Sequence, residues 1–257
     1  MKHSEKVQAY LARLGLPRDM EITHTRHELC CLQYAHAVRI PYENIDIVNG
    51  KPLSLDPDDL YEKIITNGRG GYCFELNGLF GWFLRELGYP VTDYFARFLR
   101  GEPEIPMRRH RILRVTAEDG DCICDVGVGQ IAPRHPLFLR EGLVQEQFGE
   151  TYRFERDDEL GWVLWELHHG TWRQYISFFE EKQYDVDFIQ PTFYCEHHPD
   201  SPFPKALMLA IKTETGRKSI DGDTFKVFQG EKLISVRENL SGEALAEHMR
   251  RDFFLTI

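Results

Sequence analysis

The nine residues Arg69-Gly70-Gly71-Tyr72-Cys73-Phe74-Glu75-Leu76-Asn77 put a thiol just after two glycines and just before an apolar run. In that run Leu76, Leu79, Phe80, Phe83, Leu84 and Leu87 recur at helical spacing, and Gly88 and Pro90 supply a stop. Cys73 therefore falls at or beside a helix N-terminus, where free N–H groups and the helix dipole favour the thiolate and lower its pKa. A thiol so placed is a candidate nucleophile for acyl transfer through a covalent thioester. The bland alternative is a buried structural cysteine, the usual fate of a free thiol.

A nucleophilic thiol needs a base, and the base needs an orienting group. His110 opens a predicted strand and Asp125 ends the next one, across an Asp119-Gly120 turn. In an antiparallel hairpin the two can share a face. A tight two-residue turn at Asp119-Gly120 would pair Asp125 with Arg114, four positions from His110, or about 13 Å at ~3.3 Å per residue. A catalytic pair thus requires a wide or bulged loop around Asp119. The chain has 11 histidines, and composition does not choose among them. His24, His27 and His36 lie in or near an N-terminal helix, and His168-His169 and His197-His198 lie at strand or loop ends.

Asp125-Val126-Gly127-Val128-Gly129 leads out of a strand through two glycines, a turn able to aim backbone N–H groups at an anion or oxyanion. An ordinary loop would look the same. Cys122 and Cys124 lie two apart and Cys30 and Cys31 are adjacent, and neither spacing matches the usual zinc pattern, so no metal is expected.

The elements that must position these residues read as helices first, strands next and a mixed unit last. Val7 to Leu14 and Arg26 to Val38 are helical patterns, each stopped by glycine or proline. Short strands are predicted over Tyr94–Leu99, Ile112–Ala117, Cys122–Val126, Thr151–Phe154, Trp162–Leu167 and Trp172–Phe178. Pro191 to Pro204 reads as a connecting segment. Strands near Leu207–Thr213, Phe225–Gln229 and Lys232–Val236 follow, and Ser241 offers an N-cap to a last helix ending near Arg251. This order defines an α+β class. The boundaries are expected at 1–90, 91–190 and 191–257.

Apolar residues make up 42% of the 257, enough for a real core, and a net charge of −10 argues against a nucleic-acid partner. No stretch is apolar enough for a membrane span, and the N-terminus lacks the apolar region of a signal peptide. Six sparse cysteines then read as reduced thiols in a cytoplasmic protein. Arg108, Arg109, Arg134 and Lys205 are candidates for an anion-attracting mouth, or equally for solvated surface.

Together these residues resemble the arylamine N-acetyltransferases. The resemblance rests on Pro41-Tyr42-Glu43-Asn44, the Arg69 to Asn77 block, His110, Asp125-Val126-Gly127 and Pro199-Asp200-Ser201-Pro202-Phe203, in the family's order. It implies an N-terminal helical bundle, a central antiparallel β-barrel and a C-terminal α/β lid around a papain-like core of Cys73, His110 and Asp125. It also implies acetyl-CoA as co-substrate with no tightly bound cofactor, and an arylamine or arylhydrazine as acceptor, reacting by a ping-pong scheme. Arg69 and Glu43 would form a structural ion pair. The expected partners are these small molecules alone, with the protein a monomer or weak homo-oligomer.

The implied chemistry suits the residues. Thioester-to-thiol exchange is nearly balanced in energy, and an aromatic amine, largely unprotonated at neutral pH, needs an activated acyl group and a positioned base. Tyr42, Tyr72, Phe74, Val128, Gly127 and Gly129 are the candidate lining of the acceptor site, with core packing the alternative for the aromatics. Tyr42 and Val128 each stand where the family usually has phenylalanine, Arg109 where it has threonine, and Glu196-His197 where it has a hydroxyl pair near CoA. A carboxylate beside a phosphate is repulsive, which sets the donor mode apart. Two other readings stay open: a Cys-His-Asp hydrolase, transglutaminase-like enzyme or amide synthase with a different donor, and an inactive binding module.

Overall fold

The computed structural model describes residues 3–257. Its first part is helical: α1 (Glu5–Arg13), capped by the Ser4 hydroxyl on the Val7 N–H, and α2 (Arg26–Arg39), capped likewise by Thr25. A two-residue strand β1 (Tyr42–Glu43), short helices α3 (Ile45–Val48) and α4 (Pro57–Tyr61) and a π turn over Glu62–Thr66 lead to α5 (Cys73–Glu86). Leu76, Leu79, Phe80, Phe83 and Leu84 of α5 are wholly buried against Tyr10, Leu11, Leu29 and Leu32. The same core takes in Leu113 and Val115 from the strand unit that follows.

That unit is one antiparallel sheet of eight strands: β2 (Val91–Phe98), β3 (Arg108–Ala117), β4 (Gly120–Cys124), β5 (Leu137–Phe138), β6 (Gln145–Gln147), β7 (Glu150–Asp157), β8 (Gly161–His168) and β9 (Thr171–Gln183). The strands follow the order β5-β4-β3-β2-β9-β8-β7-β6. The sheet curls into a nearly closed barrel. Its two edge strands meet through the Gln145 side chain, which accepts from the Phe138 N–H at 2.8 Å and donates to the Phe138 carbonyl at 3.0 Å. Period-two alternation sorts β3 between two cores: Ile112 points into the barrel with Tyr94, Phe154 and Phe178, whereas Leu113 and Val115 face α5.

Residues 191–204 are not the plain connection expected from their four prolines. Ile189–His197 is a helix, α6, with Pro191 in its first turn, where a missing N–H costs nothing. Buried Phe188 anchors its start. The chain then forms β10 (Met208–Lys212), β11 (Gly216–Asp221), β12 (Thr224–Gln229), β13 (Lys232–Arg237) and α7 (Gly242–Phe253). Strand β11 escapes the sequence pattern because Arg217, Lys218 and Ser219 dominate it. Arg217 lies over the Phe228 ring and Lys218 reaches Asp252 at 2.8 Å. Ser241 holds the N-cap position of α7, but its hydroxyl makes no capping bond. The five-stranded sheet runs β1-β10-β11-β12-β13, so a strand from the helical part forms its edge. Among the described residues no helix is long and apolar enough to cross a membrane.

His36 is wholly buried on α2 beside Tyr10 and Phe80, and neither ring nitrogen has a partner. Burial, helped by the Arg13 charge, lowers its pKa to about 3. The unfolded chain takes up this proton near pH 6.5 and the folded chain does not, so stability falls as pH drops from about 6.5 toward 3. Replacing His36 by Phe removes that term. In urea unfolding, the variant should gain about 2 kcal/mol on the wild type between pH 7.5 and pH 5. A difference that stays constant with pH would show that the buried ring does not titrate this way.

Candidate active site

Cys73 is the first residue of α5, and Tyr72 holds the N-cap position. The Glu75 carboxylate turns back to accept the Tyr72 N–H at 2.9 Å, fixing the first turn. The thiol is buried with Tyr72, Phe74, Ile47, Phe188 and Cys195. Contrary to the expectation from the helix end, its pKa is raised. Burial dominates, the neighbouring Cys195 and Asp125 add to it, and the Phe74 N–H offsets only part. A raised pKa favours the neutral thiol, and a thiol needs a base to act as a nucleophile.

His110 and Asp125, the expected base and its partner, are brought together by the strand register. Ala117 pairs with Gly120, so the loop residues are Glu118 and Asp119, one position earlier than expected. Moving a two-residue loop by one position moves the register by two, so Leu113 pairs with Cys124 and the next pair sets Asp125 across from Ile112. Asp125 is therefore a diagonal neighbour of His110, and the turn is tight instead of wide or bulged. The His110 Nε2 lies 2.7 Å from Asp125 Oδ2, and both residues are buried. The ring's Nδ1 makes no hydrogen bond among the described residues.

Asn77 completes the arrangement, four residues and one helical turn beyond Cys73. Its Nδ2 donates to Asp125 Oδ1 at 2.9 Å and to the Arg111 carbonyl at 2.6 Å, and its Oδ1 accepts the Val126 N–H at 2.9 Å. The Gly127 N–H donates to the same Asp125 oxygen at 2.8 Å. Two N–H groups of the glycine turn are thus spent, Val126's on the Asn77 amide and Gly127's on the Asp125 carboxylate, and do not point outward at an oxyanion. The glycines serve close approach. A Cβ on Gly127 would lie 2.5 Å from Asn77 Nδ2 and 2.9 Å from Cys73 Cα. At Gly129, with φ +53°, it would lie 2.8 Å from the Tyr42 Cβ.

Tyr42 on β1 and half-buried Val128 flank this contact; burial, with the nearby Cys73 adding to it, holds the Tyr42 phenol well above its ordinary pKa. Tyr72 and Phe74 are wholly buried. Tyr72 donates to Thr192 at 3.3 Å and meets Phe203 edge-on, while Phe74 packs against Phe188. Glu196 accepts the Leu53 N–H at 2.7 Å and is occupied there. Arg109 lines a cavity of about 420 Å³ with Phe95, Met107 and Tyr194. Arg134 does not belong to a mouth: it is buried and donates to the Thr213 and Gly216 carbonyls and to Glu150.

Beneath the site runs a buried ion network. Arg69 Nη2 lies 2.7 Å from Glu43 and 3.3 Å from Asp46, and Lys63 bridges Asp46 at 2.8 Å and Glu75 at 2.7 Å. Burial pushes the Glu75 carboxyl up to about 7 against the pull of Lys63. Sequence reasoning found Arg69 and Glu43 and missed Asp46, Lys63 and Asn77. Of these, only Asn77 left a legible sign, its one-turn offset from Cys73. Arg111, also missed, is a buried side chain that binds Asp93 at 2.8 Å and stacks on Phe188.

A buried thiol opens a helix whose Asn77 binds the carboxylate of a barrel-borne histidine–carboxylate pair, and the fold is that of a papain-like thiol acyltransferase. The N-acetyltransferase family matches residues 27–257, and the chain belongs to the arylamine N-acetyltransferases. It is 33% identical over 217 residues to the arylamine N-acetyltransferase / N-hydroxyarylamine O-acetyltransferase of Salmonella typhimurium, covering 84% of this chain and 74% of that one. It is 37% identical over 193 residues to the Mycobacterium bovis arylamine N-acetyltransferase, covering 73% and 68%. The structure of the Salmonella enzyme superposes with a TM-score of 0.94 at 29% identity, covering 99% of this chain and 93% of that one. The Mycobacterium marinum enzyme in complex with CoA gives 0.89 at 28% identity, covering 97% and 93%.

Two substitutions test this geometry. Arg69→Gln leaves Glu43 buried without its partner and should cost about 3–5 kcal/mol in denaturant unfolding. A loss below about 1 kcal/mol would mean that Asp46 and Lys63 carry the site without Arg69. Gly127→Ala forces the Asp125 turn away from α5 and should cost about 1–3 kcal/mol. It should also change the alkylation rate of Cys73 by iodoacetamide, and an unchanged rate would argue that the turn does not set the thiol's surroundings.

Proposed function

We propose that the chain moves an acetyl group from acetyl-CoA to the nitrogen of an arylamine or arylhydrazine by a ping-pong mechanism through acetyl-Cys73. The observation that carries this reading is the buried Cys73 one helical turn before Asn77, which with Gly127 pins the carboxylate of the His110–Asp125 pair. With Nε2 engaged by Asp125, the Nδ1 of His110 is the lone pair available for a proton. Cys73 sulfur attacks the thioester carbonyl as its proton passes to His110. The carbon–sulfur bond to CoA breaks, and the CoA sulfur takes that proton and leaves as the thiol. The amine then attacks the acetyl-cysteine carbonyl, His110 takes the nitrogen's proton, and the Cys73 thiol is restored. Asp125 holds the imidazole in one tautomer and stabilises its protonated form.

The donor follows from the CoA complex of the Mycobacterium marinum relative, and the acceptor class from the relatives' names. Tyr42, Val128 and the backbone of Gly127 and Gly129 are proposed to line the acceptor space, with Tyr72 and Phe74 behind them as its packed wall. The Glu196 carboxylate is held by the Leu53 backbone, which favours a CoA path that does not run over it. The three parts, 1–90, 91–190 and 191–257, would supply the nucleophile, the base and a cover.

Intact mass after incubation with acetyl-CoA and no amine tests the reading. One acetyl adduct is expected on the wild type, none on Cys73→Ala, and its discharge on adding an arylamine. Absence of an adduct with the thioester unconsumed would overturn the acetyl-CoA assignment. Steady thioester consumption without amine would point to a hydrolase.

A further inference from the structure

The mechanism above makes no use of His168 and His169, yet among the described residues these two and Glu231 bring one donor atom each within 4.8 Å of one another. The three come from two different sheets. His168 and His169 form the turn between β8 and β9, where His169 takes a left-handed φ of +48°. Glu231 forms the turn between β12 and β13, after Gly230 at φ +54°. His168 Nδ1 pairs with Glu231 Oε1, and His169 Nδ1 lies 2.9 Å from Oε2. The two rings stand 4.2 Å apart.

We propose that His168, His169 and Glu231 form a binding site for a divalent transition ion of the zinc class, tying the barrel to the C-terminal sheet. Two imidazoles and a carboxylate are the donor set that borderline ions prefer, and calcium or magnesium would instead require mostly oxygen ligands. Tetrahedral bonds of about 2.1 Å separate ligand atoms by about 3.4 Å. The His169–Glu231 spacing of 2.9 Å therefore needs to open by only about 0.5 Å to admit an ion. An ion held at each Nδ1 requires both imidazoles in the Nε2–H tautomer, with Nδ1 free of its proton. His169 and Glu231 are exposed enough for water to fill the remaining position.

Neighbouring charge sets the scale of affinity. The turns border a cavity of about 300 Å³ lined also by Arg100, Arg134, Lys212 and Arg217, which oppose a cation, and by Glu150 and Glu166, which favour one. Arg217 donates to the Gly230 carbonyl at 2.9 Å and holds the Glu231 turn in place. The mixed surroundings suit a reversible site more than a permanent structural one.

Thiols are the competing ligands, Cys73 in the candidate active site and Cys31, whose sulfur lies 3.9 Å from His27. The test therefore uses the untagged full chain carrying Cys73→Ser, titrated with ZnCl2 by calorimetry and with CoCl2 by absorption. One equivalent should bind, weakened by about 10-fold or more in His169→Ala and in Glu231→Gln. Cobalt should show ligand-field bands without a thiolate charge-transfer band. Both substitutions sit on exposed turns, and circular dichroism establishes that each variant is folded. Zinc should raise the Tm of the parent protein and leave that of His169→Ala unchanged. No binding, binding in either variant as tight as in the parent, or a thiolate charge-transfer band would each overturn the proposal.

Discussion

The carboxylate of Asp125 is the point on which the helical part and the barrel agree. It accepts from His110 on one oxygen and from Asn77 and Gly127 on the other. Those donors come from a strand, a helix and the turn after the next strand. A buried carboxylate is stable only if its lone pairs are met, so each of the three elements is held where it can meet them. Asn77 and Cys73 share one face of α5, and the position of the thiol relative to the imidazole is set by this same anion.

The network below α5 solves a different problem. Glu75 turns back to fix the first turn of the helix, which places a second carboxylate in the interior near Glu43. Lys63 and Arg69 offset this concentration of negative charge, and Asp46 joins the two cations. Such a cluster adds little net stability over an apolar core of equal volume. Its value is geometric, because Gly70 and Gly71 leave the approach to Cys73 without side chains to hold it. A Cβ on Gly70 would lie 2.2 Å from the Pro41 carbonyl, so the chain is pressed against β1 there and the ions around it fix its course.

Much of this arrangement was legible in the residues. The helix after Cys73, the hairpin carrying His110 and Asp125, and the Arg69–Glu43 pair follow from periodicity, turn residues and family resemblance. What stayed hidden depended on tertiary contact. The choice between Glu118-Asp119 and Asp119-Gly120 as loop residues is a matter of one position, and only cross-strand packing decides it. Pro191 reads as a helix breaker until its place in a first turn is known. Strand β11 is charged along most of its length, and its partners Phe228 and Asp252 are remote in sequence. The sign of the Cys73 shift turned on burial, which local pattern does not report.

The edge strand β1 joins Tyr42 to Ala210 and Glu43 to Leu209, residues separated by more than half of the chain. Such a pairing closes a very long loop, and long-range contacts of this kind form late in folding. Tyr42 and Gly129 press together beside β1, and Glu43 carries one end of the ion network. Residues next to the thiol therefore reach their final surroundings only when β10 has been made and docked. A ribosome-bound chain of this protein would hold Cys73, His110 and Asp125 already synthesised, yet still lack the sheet against which Tyr42 and Glu43 pack. The surroundings of the nucleophile thus depend on strands encoded far beyond it in the chain.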